Sequence, residues 1–146
     1  MSNLTEIFYN LGVHDAQVLR SEAASLEGTV IINREASIPD FVATKDYSEW
    51  PVGAPVRDED QVWTLLQPHN AAHYDGCPST LRALWGLCHT KNPAKAKAWV
   101  DPYGTSGVYM KDECYKDEDG NVWRSLVDNN VYTAAAYAAN WEIVIL

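Results

Sequence analysis

One short phrase occurs twice in this chain. Val56 to Asn70 reads VRDEDQVWTLLQPHN, and Tyr115 to Asn130 reads YKDEDGNVWRSLVDNN. Each copy carries a basic residue, then Asp-Glu-Asp, then Val-Trp. Either an acidic catalytic cluster has been duplicated or a small fold has. Turn chemistry decides between them. Asp119-Gly120 is a strong hairpin signal, because glycine accepts positive φ at no steric cost. The flanking residues favour strand, so the acids fall at the solvated tip of a hairpin. Strand alternation then places Trp123, Ser125 and Val127 on one face and Val122, Arg124 and Leu126 on the other. An EF-hand does not fit: Gly120 is misplaced and no Glu closes the loop.

The repetition extends beyond the phrase. In each copy a strand ends in Val56-Arg57 or Tyr115-Lys116, and an acidic turn follows. A second strand opens on Val62-Trp63 or Val122-Trp123. A polar loop holds an aromatic, Tyr74 or Tyr132, and a closing Trp follows, Trp85 or Trp141. This is an internal repeat with a period of roughly 55–60 residues. Two small antiparallel β modules are expected, over 46–98 and 99–146. Modules this short bury little surface and need large side chains, so Trp63, Trp85, Trp123, Trp141 and Trp99 are expected to build the cores.

Residues 1–45 have a different texture, without Trp. Leu4, Ile7, Phe8 and Leu11 fall at helical spacing, with Gly12 as a stop. A second helix is expected from His14 to about Leu26, with Val18 and Leu19 inward and Gly28 ending it. TVIINREASIPDF then looks like a strand running into an irregular stretch. The expected fold is therefore mainly β, two small antiparallel modules preceded by a short helical segment.

The charge bounds the partners. The sequence holds 20 Asp and Glu against 11 Lys and Arg, a formal net charge of −9. Such a surface repels phosphate, which argues against nucleic acid and anionic membranes. No apolar run reaches the length of a membrane span. The first residues, MSNLTEIFYN, lack the basic start and apolar block of a secretory signal, so synthesis in a cytoplasm is expected. Three cysteines, Cys77, Cys88 and Cys114, argue against a disulfide framework.

His69, His73, Cys77, Cys88 and His89 are zinc-ligand types. Pro68, Gly76 and Pro78 interrupt any helix that would align them, and there is no C-x-x-C pair, so no metal is assigned. No G-x-S-x-G and no glycine-rich phosphate loop occurs. The acids concentrate in turn tips, not as a pair flanking a cleft, so glycoside hydrolysis is not expected either. No catalytic residue and no cofactor is assigned, and the chain is read as non-enzymatic.

The stretch AWVDPYGTSGVYMKDECYKDEDGNVWRSLVDNNVYTAAAYAANWEIV resembles the chitin-binding family 5/12 type of carbohydrate-binding module. Its SLVDNNVY…Y…NWE wording, with LLQPHN…CPSTLRALW in the first module, resembles more closely a class of small phage and prophage proteins that end in such a module. The resemblance covers about residues 46–146. It implies a virion accessory protein, a decoration, fibre or tail component, that contacts cell-surface or cell-wall polysaccharide. Attachment to other virion proteins would run through residues 1–45, within a homo-oligomer. Candidate sugar-contacting residues are Tyr132, Tyr137 and Tyr74 in loops, with Trp50 before Pro51. The family carries Trp where this chain has Tyr132, and Pro where it has Ala134. A stacked ring contributes about 1 kcal/mol, so useful affinity would come from many copies on a particle. Two other readings follow from the same residues. One is a purely structural virion protein whose modules contact other proteins. The other is the targeting subunit of a cell-wall hydrolase.

Overall fold

The computed structural model describes residues 14–146. The expected first helix, with Leu4, Ile7, Phe8 and Leu11, lies outside the described residues. Backbone over 14–22 is helical (α1) and tightens into a 3-10 turn at Ala23–Ser25. A second helix, α2, spans Gly28–Asn33, and a 3-10 turn follows at Glu35–Ser37. Two small sheets come next, one of three strands and one of four. The chain therefore mixes helix with sheet.

α2 overturns the strand expected over Thr29–Asn33. The β-branched run favours strand only where a neighbouring strand is available to pair with it. Here Ile31 and Ile32 are buried with Leu19, Ala23, Ile38, Val62 and Cys88. A helix brings adjacent residues of that run onto the sheet and satisfies its own backbone groups. Gly28, expected to end a helix, opens this one. Its Cα sits so near the chain that a Cβ would lie 2.3 Å from the His89 carbonyl oxygen. Leu19 is fully buried as expected and Val18 only partly so.

The first sheet orders β1 (Pro55–Asp58), β2 (Gln61–Leu65) and β3 (Trp85–Leu87) as an antiparallel meander. The second orders β4 (Lys97–Ala98), β5 (Cys114–Lys116), β6 (Val122–Ser125) and β7 (Trp141–Val144). The registers repeat. Val56 faces Trp63, and Leu65 faces Trp85. In the second sheet Tyr115 faces Trp123, and Ser125 faces Trp141.

The correspondence begins earlier than the aromatic texture suggested. β4 runs parallel to β5, with Ala98 opposite Lys116. In the first sheet Asp40 bridges Arg57 in the same parallel sense. Phe41 and Trp99, the next residues, fill equivalent places. Phe41 stacks on Tyr47 at 5.9 Å and meets Trp85 edge-on at 5.8 Å. Trp99 stacks on Tyr109 at 4.9 Å and meets Trp141 edge-on at 6.2 Å. Each core is thus a cage of rings around one closing tryptophan, which supplies large buried area from few residues.

Backbone strain repeats too. Gly53 has φ +92° and donates to the Leu65 carbonyl, while Asp112 has φ +75° and donates to the Ser125 carbonyl. The first position must be glycine, because a Cβ there would lie 2.7 Å from Ala24 Cα. At this position the N-terminal segment presses on the first module. Strand alternation in β6 holds: Val122 clusters with Ala96 and Cys114, while Trp123 joins the opposite aromatic core.

Candidate functional site

The acidic turns come first, because they are the repeated phrase. The first is a two-residue turn with Glu59 at φ 53° and Asp60 at φ 59°. The second is longer, with Gly120 at φ 84°. Its acids are partly consumed by the turn itself. Asp117 accepts from the backbone N–H of Asp119 and of Asn121, and from Trp123 Nε1–H at 2.9 Å. The Trp123 bond, with those from the turn, holds its carboxyl below the ordinary Asp range. The equivalent Trp63 indole donates instead to the Asp58 carbonyl at 3.4 Å.

Each acidic turn borders a groove against the parallel edge, and the two grooves differ in chemistry. The first, of about 580 Å³, is lined by ions, among them Glu35, Arg57, Asp58 and Lys97. Burial pushes the Glu35 carboxyl up, but the Lys97 hydrogen bond at 2.6 Å and the Lys95 charge outweigh it and hold it low. The second, of about 550 Å³, is lined by Trp99 and Tyr115, by the loop residues Thr133 and Ala135, and by Asp117 to Asp119.

That same loop carries the exposed aromatics expected from the sequence. Tyr132 is 58% exposed and Tyr137 52%, and their rings lie 6.5 Å apart with planes tilted by 34°. They form an open two-ring face on the second module. The loop beneath them is tied down. Trp141 Nε1–H donates to the Tyr132 carbonyl at 2.7 Å, and the Ala134 N–H donates to the Tyr115 hydroxyl oxygen at 2.9 Å. Ala134 therefore makes a bond that proline cannot.

The first module lacks this face. The backbone N–H of Leu81 donates to Cys77, and that of Leu66 to Leu84; in the second module Tyr137 donates to Thr133, and Leu126 to Asn140. By that register Gly76 and Pro78 stand where Tyr132 and Ala134 stand. Leu81, in the place of Tyr137, is partly buried against the core. Tyr74, 45% exposed, lies elsewhere in the loop and packs edge-on against His69 at 5.3 Å. Trp50 is half-buried. The Arg20 guanidinium sits 3.9 Å from its ring centroid, and Tyr47 meets it edge-on at 4.7 Å. Of the four candidates, the structure brings together Tyr132 and Tyr137 and separates Tyr74 and Trp50 from them.

The histidines and cysteines take separate tasks. His69 is buried and donates from Nδ1 to the Gln67 carbonyl at 2.7 Å. His89 donates from Nε2 to Gly107 at 2.8 Å and stacks on Tyr109 at 3.7 Å, joining the modules. Burial lowers its pKa to about 4. Cys77, Cys88 and Cys114 are free thiols, and burial pushes Cys88 up to about 12. Among the described residues, the group with ligand atoms within 4.8 Å of one another is Asp58, Glu59 and Cys77, which shares Cys77 with the candidate set and none of its histidines. The core place of Phe41, and the groove that Trp99 walls, were missed from sequence. The spacing of Phe41 before Arg57 and Trp99 before Lys116 is the signal that could have found them.

No protein-family model matches this chain, and no curated protein is significantly similar to it. No helix among the described residues is long and apolar enough to cross a membrane.

Proposed function

We propose that this protein is a non-enzymatic virion accessory protein whose second carbohydrate-binding-type module, over about 99–146, makes weak contacts with cell-surface glycan. The observation that carries this reading is the exposed Tyr132–Tyr137 pair on a tethered loop. Aromatic faces held open and immobile suit the apolar faces of sugar rings, because little conformational freedom is lost on binding. The adjoining groove adds carboxylates that can accept from sugar hydroxyls. The first module, over about 46–98, supports the second and carries no such face. Residues 1–45 are the particle-facing part. The inner face of residues 19–38 is spent on the first sheet, so attachment would use the outer surface, where Val30 and Val42 are exposed.

A second reading, a structural virion component, is favoured by Ile145 and Leu146, 86% and 77% exposed at the end of β7. Titration with soluble cell-wall glycan fragments separates the two. The glycan reading requires saturable binding that Tyr132→Ala weakens without unfolding the protein. Absence of saturation, or equal affinity in wild type and variant, would leave only the structural reading.

A further inference from the structure

The two closing tryptophans are equivalent in register but not in their hydrogen bonds. In the second module the Trp141 indole N–H reaches the Tyr132 carbonyl. In the first, Trp85 is fully buried and its Nε1 reaches no acceptor among the described residues. Gly76 occupies the place of Tyr132, and the loop around it runs differently, so no carbonyl arrives. His69 lies beside Trp85, ring centroids 5.5 Å apart at 81°, and is 6% exposed. Its Nε2 is also buried without a partner among the described residues. The tautomer follows from its other nitrogen. Nδ1 lies 2.7 Å from the Gln67 carbonyl, which can only accept, so Nδ1 carries the proton. Nε2 of the neutral ring is then an acceptor.

A buried donor and a buried acceptor thus sit on two touching rings inside an aromatic cage. Tyr47 meets Trp85 edge-on at 5.2 Å, and Tyr74 packs on the edge of His69 and reaches solvent. Unpaired buried polar atoms are costly, and two complementary ones on adjacent rings point to a shared partner.

We propose that Trp85 Nε1 and His69 Nε2 form a binding site for a single hydroxyl group, with Tyr74 as its roof. The hydroxyl oxygen accepts from the indole N–H, and the hydroxyl proton is donated to His69. It does in the first module what the Tyr132 carbonyl does in the second. A water molecule and a hydroxyl of a sugar or polyol share this chemistry. The site owes nothing to Tyr132 or Tyr137.

The test is an atomic-resolution crystal structure of the full chain, grown once in buffer and once with glucose, alongside a Tyr74→Ala variant treated the same way. The expected result is one oxygen within hydrogen-bond distance of both atoms, about 2.7–3.2 Å. The same isolated oxygen in every crystal identifies water as the occupant. Replacement by a glucose hydroxyl, in wild type or once the roof is removed, identifies a sugar. In solution, nitrogen NMR should report Nδ1 protonated and Nε2 accepting a hydrogen bond. The proposal is overturned if no oxygen bridges the two atoms in any crystal, or if His69 carries its proton on Nε2.

Discussion

Trp141 holds the carbonyl of Tyr132 through its indole N–H at 2.7 Å, so a buried ring of the second core fixes the backbone beneath an exposed ring on its surface. Trp141→Phe keeps much of the packing and removes the donor. The freed carbonyl should cost about 1–3 kcal/mol, beyond the area lost. Urea unfolding should show a lower midpoint, and amide exchange over residues 131–137 should accelerate more than in either sheet.

Tyr115 and Ala134 make one bond, and two different substitutions break it. Tyr115→Phe removes the hydroxyl acceptor, and Ala134→Pro removes the N–H donor. Each should destabilise by about 1–3 kcal/mol. Because both delete the same interaction, the double variant should lose much less than the two losses combined. Strict additivity in denaturant melts would show that the bond contributes nothing.

Gly53 is required by both its φ of +92° and the nearness of Ala24. Gly53→Ala should cost about 1–3 kcal/mol through backbone strain alone, and more through displacement of the N-terminal segment. The damage should be local: faster amide exchange over residues 14–38, with the second sheet unchanged. Asp112→Gly at the equivalent place relieves a positive φ and should be neutral or stabilising.

His89 is held neutral by burial, its pKa lowered to about 4. The unfolded chain takes up that proton near pH 6.5, and the folded chain does so only near its lowered value. Between those limits the unfolded state binds more protons, so stability should fall as pH drops from about 6.5 to about 4, by roughly 3 kcal/mol at most. Burial raises the Glu113 carboxyl, which opposes this trend in acid. Comparing chemical denaturation at neutral and mildly acidic pH isolates the histidine: His89→Phe should be less stable at neutral pH but flatter between the two. Equal slopes for variant and wild type would count against the assignment.

Tyr132→Ala and Tyr137→Ala should each weaken glycan binding by about 1 kcal/mol, or roughly fivefold, and change folding stability by less than about 0.5 kcal/mol. Tyr74→Ala and Trp50→Ala should leave that binding unchanged, and Trp50→Ala should reduce stability because Arg20 and Tyr47 lose their packing partner.

What the sequence determined by itself was everything that neighbouring residues decide. The duplicated Asp-Glu-Asp turns, the paired strands around them and the closing Trp85 and Trp141 were legible because turn conformation and strand alternation are local properties. The tertiary structure decided the rest. Thr29–Asn33 reads as strand until Val62 and Cys88 offer it a surface to cover and no strand offers it an edge. Phe41 reads as the end of an irregular stretch until Arg57 bridges Asp40. Tyr74 and Tyr132 read as counterparts until the Leu81 and Tyr137 hydrogen bonds place Gly76 where Tyr132 stands. In each case burial and pairing come from residues distant in the chain, and those partners exist only once the two sheets have formed.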